Sequence, residues 1–344
     1  MRLNNGNARR RNLLTWCGWA LSLALLASIA FIVPFRDVWQ ALRLTHPLFV
    51  MLGMLLVLVH LRFRGSRWAL LFQPHYQISG RAASVPVIIG LAVNGVLPGK
   101  VGELVRIGLG ARQFKSGLTF TTMTAISDRL FDALTLLVLL SGALFLVPES
   151  HALTAVSIFH HDLRPEVLSR LVTTFSGTVL LLLGIIVCLL FARTRMFLLQ
   201  VFNVLPIIGA KFHAKVEHIF TEAAHGLAAL RDVRIFLKVI LFSGLIWLPP
   251  ALTTQLVSQG MPGIHLNFLQ ALIVTVMSIG MTSIPSAPGS WGVFEAGTLL
   301  ALKLLHIPCE LQVSVAFAFI LHLSFYLPIV LSGAILFITV KRQL

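Results

Sequence analysis

Two segments that interrupt apolar stretches share a pattern in which proline and glycine precede a carboxylate. The first runs from Asn94 to Arg106 and the second from Ser283 to Glu295, and each contains Pro-Gly-x-x-Gly with a glutamate one or three residues later. Proline removes a backbone donor and glycine permits unwound backbone, so each segment predicts two half-helices joined by a non-helical turn. The N-terminus of the second half-helix presents free N–H groups and a positive dipole end, which suits a phosphate.

Ionisable side chains lie in or beside the apolar runs around these segments. A charge at the centre of a membrane helix costs roughly 2.5–3.5 kcal/mol, so such residues need partners or a water-filled cavity. Asp128 and Asp132 share a helix face, and Arg129 and Asp132 are spaced to pair. These three residues predict either a structural ion pair inside the protein or a functional cluster.

The residues beside the two turns favour a binding role. Arg106 binds an anion through a bidentate fork and Lys100 as a point charge, whereas Glu103 and Glu295 suit a cationic head group or a coupling proton. Trp291 either lines the site or plugs it. The candidate substrate-binding residues are Asn94, Pro98, Gly99, Lys100, Gly102, Glu103, Arg106, Asp128, Arg129, Asp132, Pro288, Gly289, Trp291, Gly292 and Glu295.

Catalytic, metal and cofactor motifs do not appear in the sequence. Its 12 histidines include no HExxH, its three cysteines form no CxxC pair, and there is no Walker loop, GxSxG or nucleotide fingerprint. His322 lies inside the last apolar run. We interpret it as a hydrogen-bonded contact between helices, and a proton relay is the alternative. We therefore expect no catalytic residue, no metal, no cofactor and no enzymatic activity.

The composition indicates which class of protein must position these residues. Of 344 residues, 57% are apolar and 11% charged, and the formal net charge is +15. A soluble domain is about a quarter charged, whereas runs of about 20 apolar residues suit a hydrocarbon core of roughly 30 Å. The sequence predicts a single all-α polytopic membrane domain over residues 1–344 and excludes a soluble enzyme, a nucleic-acid-binding protein and a secreted module.

Six full spans are predicted, together with two re-entrant broken-helix pairs. The spans are expected at about 13–33 (an uncleaved first span), 47–61, 118–147, 171–192, 235–257 and 311–340, and the broken pairs at 84–109 and 267–305. Because the first pair enters from the cytoplasm and the second from outside, we expect inverted repeats at about 47–147 and 235–340. The alternative is that the Pro-Gly pairs mark ordinary loops between spans.

The distribution of basic residues predicts the orientation. With both termini in the cytoplasm, 21 of the 27 Lys and Arg residues lie on the cytoplasmic side, five lie outside and Arg129 lies within a span. Apolar residues at helical spacing in 193–234 predict an amphipathic helix at the inner interface, where basic side chains contact anionic lipid.

The motifs resemble those of the lysylphosphatidylglycerol synthase transmembrane-region, or flippase-like, family. The resemblance lies in Asn94 to Arg106 (N-x-x-L-P-G-K-x-G-E-x-x-R), Ser127 to Asp132 and Pro285 to Glu295 (P-x-x-P-G-x-x-G-x-x-E). They occur in the family's order and span roughly residues 15–340, with Lys100 where Arg is common and Asp128 where Glu is common. The resemblance implies a bacterial cytoplasmic membrane.

Members of this family that carry a soluble aminoacyltransferase domain synthesise lysyl-lipid and move it across the membrane. The sequence ends at Leu344, just after the last predicted span. The resemblance therefore implies translocation without synthesis, of an aminoacyl-phospholipid, a polyprenyl-phosphate-linked sugar or another polar lipid. The alternatives are a non-transporting partner that docks a lipid-modifying enzyme through 193–234, and a membrane-embedded transferase.

Overall fold

A computed structural model describes residues 19–31, 33–73, 75–146, 156–158, 161–163, 228–284 and 286–343, with a few single residues between 173 and 184. Ten helices are described: α1 Trp19–Phe31, α2 Phe35–Arg43, α3 Pro47–Leu71, α4 Gly80–Val96, α5 Gly102–Phe114, α6 Leu118–Leu146, α7 Val233–Gln259, α8 Phe268–Met281, α9 Val293–Leu304 and α10 Leu311–Gln343. Short 3₁₀ turns lie at Pro98–Lys100, Ala228–Arg231 and Pro288–Ser290. Apart from a small hairpin, in which Val156–Ile158 (β1) pairs antiparallel with His161–Leu163 (β2), the described chain is helical.

Long apolar helices confirm a membrane protein. Within the described residues, three helices are long and apolar enough to cross a bilayer: Pro47–Leu71, Val233–Gln259 and Leu311–Val340. Helices α1 and α2 meet at 86° and form either one broken span or a re-entrant loop, which brings the number to four at most. The predicted span at 171–192 and most of the amphipathic segment 193–234 lie outside the described residues.

The predicted span at 47–61 was too short. Helix α3 continues to Leu71, so Arg62, Arg64 and Arg67 lie inside a helix and not in a cytoplasmic loop. Arg67 is fully buried because carboxylates on α6 pair with it. This pairing makes the two charges tolerable inside the bundle. Arg64 and Arg67 therefore do not belong among the basic residues that the sequence analysis assigned to cytoplasmic loops.

The first interrupted segment folds as two helices joined by a turn, as predicted. Gly99 has φ +79° and Lys100 φ +53°, so the backbone leaves the helical region at the Pro-Gly pair. Helix α5 then returns against α4, where a Cβ on Gly102 would lie 1.9 Å from the Gly90 carbonyl oxygen. A glycine at 102 therefore allows the two helices of this hairpin to touch backbone to backbone.

The second interrupted segment has the same design. Gly289 has φ +73° and Ser290 φ +60°, and helix α9 packs back against α8. Here the close approach lies at Gly297, whose Cβ would be 3.0 Å from the Met277 carbonyl oxygen. Each segment is therefore a helical hairpin with a left-handed turn at its tip.

Small residues also hold the long helices against the hairpins. Helix α3 meets α4 where a Cβ on Gly65 would overlap Ser84, and α10 meets α4 where a Cβ on Gly333 would lie 2.2 Å from the Ala92 Cβ. Without a hydrophobic force between helices in lipid, such small residues permit the van der Waals contact on which association depends. The long helices α3 and α10 thus pack closely against α4 of the first hairpin.

Candidate functional site

Asp128 lies at the centre of a buried ion-pair network. Its Oδ1 accepts a hydrogen bond from Arg67 Nε at 2.8 Å, and its Oδ2 accepts one from Arg106 Nη2 at 2.8 Å. All three side chains are at most 1% exposed. Helices α3, α5 and α6 are therefore joined by charge-assisted hydrogen bonds at a depth where unpaired charges would be expensive.

Asp132, one turn further along α6, extends the network toward the surface. It pairs with Arg64 and Arg67 on α3 and with Arg129, whose Nη1 lies 3.1 Å from Asp132 Oδ2. The predicted Arg129–Asp132 pair is thus present, and Arg129 also binds Glu103 on α5. Four arginines face three carboxylates in these contacts, so the network carries one surplus positive charge.

Arg106, the predicted anion binder, lies beneath the surface and not at it. Its side chain is 1% exposed, and its guanidinium carbon stands 4.2 Å from the centre of the Trp68 ring. Within the described residues, its Nε and Nη1 have no hydrogen-bond partner. Arg106 therefore stabilises the interior of the network through Asp128 and the Trp68 π-face.

The first turn presents Lys100 to the second hairpin. Asn94 Oδ1 accepts a hydrogen bond from the Gly102 N–H at 2.7 Å, which closes the turn at the start of α5. Lys100 Nζ donates to the carbonyl oxygens of Thr282 and Ser283, at 3.1 and 3.3 Å. The charge of Lys100 also interacts with those of Arg129 and Glu103, so this lysine links the buried network to the second turn.

Tyr326 on α10 contacts both turns. Its hydroxyl donates to the Gly95 carbonyl oxygen at 3.3 Å, and its ring edge would lie 3.0 Å from a Cβ on Gly289. Residues almost 200 positions apart in the sequence are therefore gathered around one phenol ring. The two interrupted segments therefore meet at the Tyr326 side chain.

Glu295 and His322 form a second buried pair, at the second turn. Glu295 is fully buried; its Oε2 accepts from the Gly292 N–H at 2.7 Å, and its Oε1 lies 2.7 Å from His322 Nδ1. His322 Nε2 lies 2.9 Å from the Gly289 carbonyl oxygen. Both carboxylate oxygens and both ring nitrogens are engaged inside the protein.

Aromatic side chains enclose this pair. The centre of the Trp291 ring lies 4.3 Å from that of the His322 ring, and the Phe294 ring stacks on the same imidazole at 4.5 Å. Trp291 is half-buried, whereas Phe294 is buried, so the indole is the more exposed of the two rings.

The predicted site residues thus fall into two groups joined by Lys100. Glu103, Arg106, Asp128, Arg129 and Asp132 share the ion-pair network, whereas Gly289, Trp291, Gly292 and Glu295 surround His322. Asn94 and Gly102 close the first turn, at which Pro98 and Gly99 are exposed, and Pro288 is half-buried at the second.

Four contributing residues were absent from the predicted set: Arg64, Arg67, His322 and Tyr326. Arg64 and Arg67 lie between two apolar stretches, and the run Trp68-Ala69-Leu70-Leu71 after them was the available signal that the helix continues. His322 was weighed as a helix contact, which it is, but its partner Glu295 lies 27 residues away.

A cavity of about 640 Å³ lies away from both groups. It is lined by α2, the loop between α7 and α8, the loop before α10 and the first turn of α10. The lining includes Asp37, Gln40, Cys309, Glu310 and Gln312. None of the predicted site residues lines this cavity, so it is not part of the charged network or of the group around His322.

Comparisons with known proteins agree with the motifs. A family model described as the lysylphosphatidylglycerol synthase TM region matches residues 19–333. A UPF0104 membrane protein of Methanocaldococcus jannaschii is 27% identical over 258 residues, covering 73% of this chain and 95% of the relative. No solved structure matches the chain. The chain belongs to the family of the lysylphosphatidylglycerol synthase transmembrane region.

Proposed function

We propose that this protein moves a phosphate-bearing polar lipid across the cytoplasmic membrane, without making or breaking a covalent bond. The head group, of an aminoacyl-phospholipid or a polyprenyl-phosphate-linked sugar, enters between the two turns while the acyl or prenyl chains stay in the bilayer. The observation that carries this proposal is the charged network with one surplus positive charge, which reaches the surface beside the contact between the turns.

Lys100 and Arg129 are the two cations of this region best placed to receive the phosphate. Lys100 is exposed, and the Arg129 side chain is 38% exposed, whereas Arg67 and Arg106 are covered. The carbonyl oxygens of Thr282 and Ser283 that now hold Lys100 are neutral acceptors, so a phosphate competes well for the same ammonium. Arg67 and Arg106 then keep Asp128 and Asp132 from repelling the bound anion.

The likeness of the two hairpins supports translocation by movement of one hairpin against the other. Each turn has a glycine and the following residue in the left-handed region, and each returning helix is followed by a left-handed Lys115 or His306. Repeats that meet at a central site are the arrangement used by transporters that expose the site alternately to either side. In the proposal, each hairpin belongs to one of the two inverted repeats predicted at about 47–147 and 235–340.

Reconstituted lipid translocation tests the proposal. Purified protein is placed in liposomes with head-group-labelled lysyl-phosphatidylglycerol, phosphatidylglycerol, phosphatidylethanolamine or a polyprenyl-phosphate sugar, and the loss of label accessible in the outer leaflet is followed. We expect protein-dependent movement of a phosphate-bearing lipid. Lys100→Gln should lower the rate roughly tenfold or more, because a hydrogen bond to a charged group contributes about 1.5–3 kcal/mol.

Arg112→Gln is the matched control, since Arg112 is an exposed cation on the same hairpin. Its translocation rate should equal that of the wild type. Equal loss in both variants would mean that surface charge in general, and not the cation between the turns, supports movement. If no lipid moves while the protein remains folded, translocation is rejected in favour of a docking partner for a lipid-modifying enzyme.

A further inference from the structure

The hydrogen bonds of the Glu295–His322 pair specify how many protons the pair holds. The Gly289 carbonyl oxygen only accepts, so His322 Nε2 must donate to it and carries a proton. Nδ1 faces a carboxylate oxygen at 2.7 Å, and two facing lone pairs would repel, so one proton lies between Nδ1 and Oε1. The pair therefore holds two protons in total and is electrically neutral, whichever partner the shared proton belongs to.

A neutral Glu295–His322 pair suits this buried position because the surrounding residues supply few charges that could compensate a net charge on the pair. Of the described residues, the titratable groups in contact with the His322 ring are Glu295 on α9 and Tyr326 on α10. Helix α1 contributes the uncharged Ser22, which accepts a hydrogen bond from the Ala287 N–H, and the cation of the first turn, Lys100, is held on Thr282 and Ser283. Removing the shared proton would leave a buried carboxylate opposite an imidazole lone pair.

The same pair has a different proton count once the second turn opens. In water a glutamate is ionised above about pH 4.3, and an imidazole loses its proton near pH 6.5. The separated residues hold two protons at pH 5.5 and one at pH 8. Opening of the turn at neutral or alkaline pH therefore releases one proton, and the closed turn takes that proton up again.

We propose that the second turn opens and closes with release and uptake of one proton at Glu295 and His322, which makes H⁺ the coupling ion of lipid movement. The coupling rests on the proposed function, whereas the proton-linked opening does not. Because Glu295 also binds the Gly292 N–H at the start of α9, the carboxylate connects the proton directly to the turn. Proton uptake closes the turn that Lys100 and Tyr326 join to the first hairpin.

The proposal predicts the sign of the pH dependence. In the wild-type protein, the equilibrium constant for opening should be constant from pH 5 to 6 and rise up to tenfold per pH unit above about 6.5. Glu295→Gln should reverse the dependence. The glutamine carbonyl accepts from the Gly292 N–H and its amide donates to a neutral His322, so every hydrogen bond is kept with one proton fewer. Opening of this variant should increase below pH 6.5 and stay constant above it.

Hydrogen exchange measures the opening without any substrate. The full chain is placed in nanodiscs of phosphatidylethanolamine and phosphatidylglycerol, and protection of peptides covering residues 286–296 is measured from pH 5 to 8.5 after correction for intrinsic exchange. The double variant Glu295→Gln/His322→Gln, in which neither side chain titrates, should show no pH dependence. His265→Gln, at an exposed histidine in the loop before α8, should behave as the wild type.

Translocation by the same variants reconstituted in liposomes, with and without a pH gradient across the membrane, tests the coupling. A rate that follows the gradient in the wild type and not in Glu295→Gln supports it. Protection that is flat in the wild type, or that changes with the same sign in Glu295→Gln, overturns the proposal, as does a rate indifferent to the gradient. Opposite slopes without movement of any lipid would reject lipid translocation and support the proton-linked turn.

Discussion

Lys100 Nζ lies 3.1 Å from the carbonyl oxygen of Thr282, although 182 residues separate the two positions in the sequence. Helix α8 ends at Met281, so this carbonyl and that of Ser283 belong to the helix end, where backbone acceptors are free and the dipole is negative. A cation from the first turn therefore completes the C-terminus of a helix in the second hairpin. If one hairpin moves relative to the other, the hydrogen bonds of Lys100 to this helix end must break.

Loss of the Arg67 guanidinium should destabilise the protein strongly. Arg67→Met removes the donors to Asp128, Asp132 and the Ser243 hydroxyl, and leaves one buried carboxylate with Arg106 as its remaining partner. We expect a loss of about 3–5 kcal/mol in unfolding free energy, measured by chemical denaturation in detergent. Arg62→Met, at an exposed position on the same helix, should change it by less than about 0.5 kcal/mol. Similar effects of the two changes would contradict the network.

A methyl group at position 102 should prevent the first hairpin from closing. The Cβ of Gly102→Ala would lie 1.9 Å from the Gly90 carbonyl oxygen, and backbone cannot yield as a flexible side chain does. The cost is at least the roughly 1–3 kcal/mol of an overpacked core, measured as a fall in thermal stability. Gly108→Ala on the same helix meets open space and should be neutral or stabilising by up to about 1 kcal/mol. A stable, active Gly102→Ala protein would show that α4 and α5 do not touch here.

The Asn94 side chain should matter as a hydrogen-bond acceptor. Asn94→Ala leaves the Gly102 N–H without its partner and should reduce stability by about 0.5–2 kcal/mol, as loss of a helix N-cap does. Asn94→Asp keeps an acceptor oxygen at the helix N-terminus and should restore most of the loss. Amide exchange at Gly102, measured by mass spectrometry, should rise in the alanine variant alone. Equal exchange in both variants would assign Asn94 another role.

Cysteine labelling checks the orientation that the basic residues predict. With Cys17 and Cys188 replaced by serine, Cys309 should react with a membrane-impermeant maleimide from outside the cell. Burial raises the pKa of the Cys309 thiol, so the thiolate is scarce at pH 7 and the labelling rate should rise about tenfold per pH unit up to that pKa.

A second single-cysteine protein, Gln113→Cys with Cys309 also replaced, provides the opposite control. Gln113 is exposed at the end of α5, on the side predicted to be cytoplasmic, and should be labelled only after the cells are permeabilised. Labelling of Gln113→Cys in intact cells and of Cys309 only in broken cells would invert the proposed orientation.

The two turns were predictable from local chemistry, whereas the length of α3 was not predictable in this way. Pro98, Gly99, Pro288 and Gly289 act on their own backbone, so their positions alone indicate where helices break. Arg64 and Arg67 resemble the cationic end of a span until Asp128 and Asp132 are known to face them. The identity of a partner decides whether a charge ends a helix or lies within it.

The composition of the site was predictable in part for the same reason. Arg129 and Asp132 lie three residues apart on one helix, and their pairing follows from helical geometry. The partners Arg67 and Asp128 are 61 residues apart, and Glu295 and His322 are 27 apart on different helices. Those pairs form because several helices pack together, so they cannot be predicted from the spacing of residues along the sequence.

The pairing of α3 with α6 has a consequence for biosynthesis. Arg64 and Arg67 leave the ribosome about 60 residues before Asp128 and Asp132, which at 5–20 residues per second is an interval of roughly 3–12 s. Until α6 is made, Arg64 and Arg67 lack these carboxylate partners. We therefore expect the C-terminal end of α3 to stay near the membrane interface and to pack into the bundle together with α6.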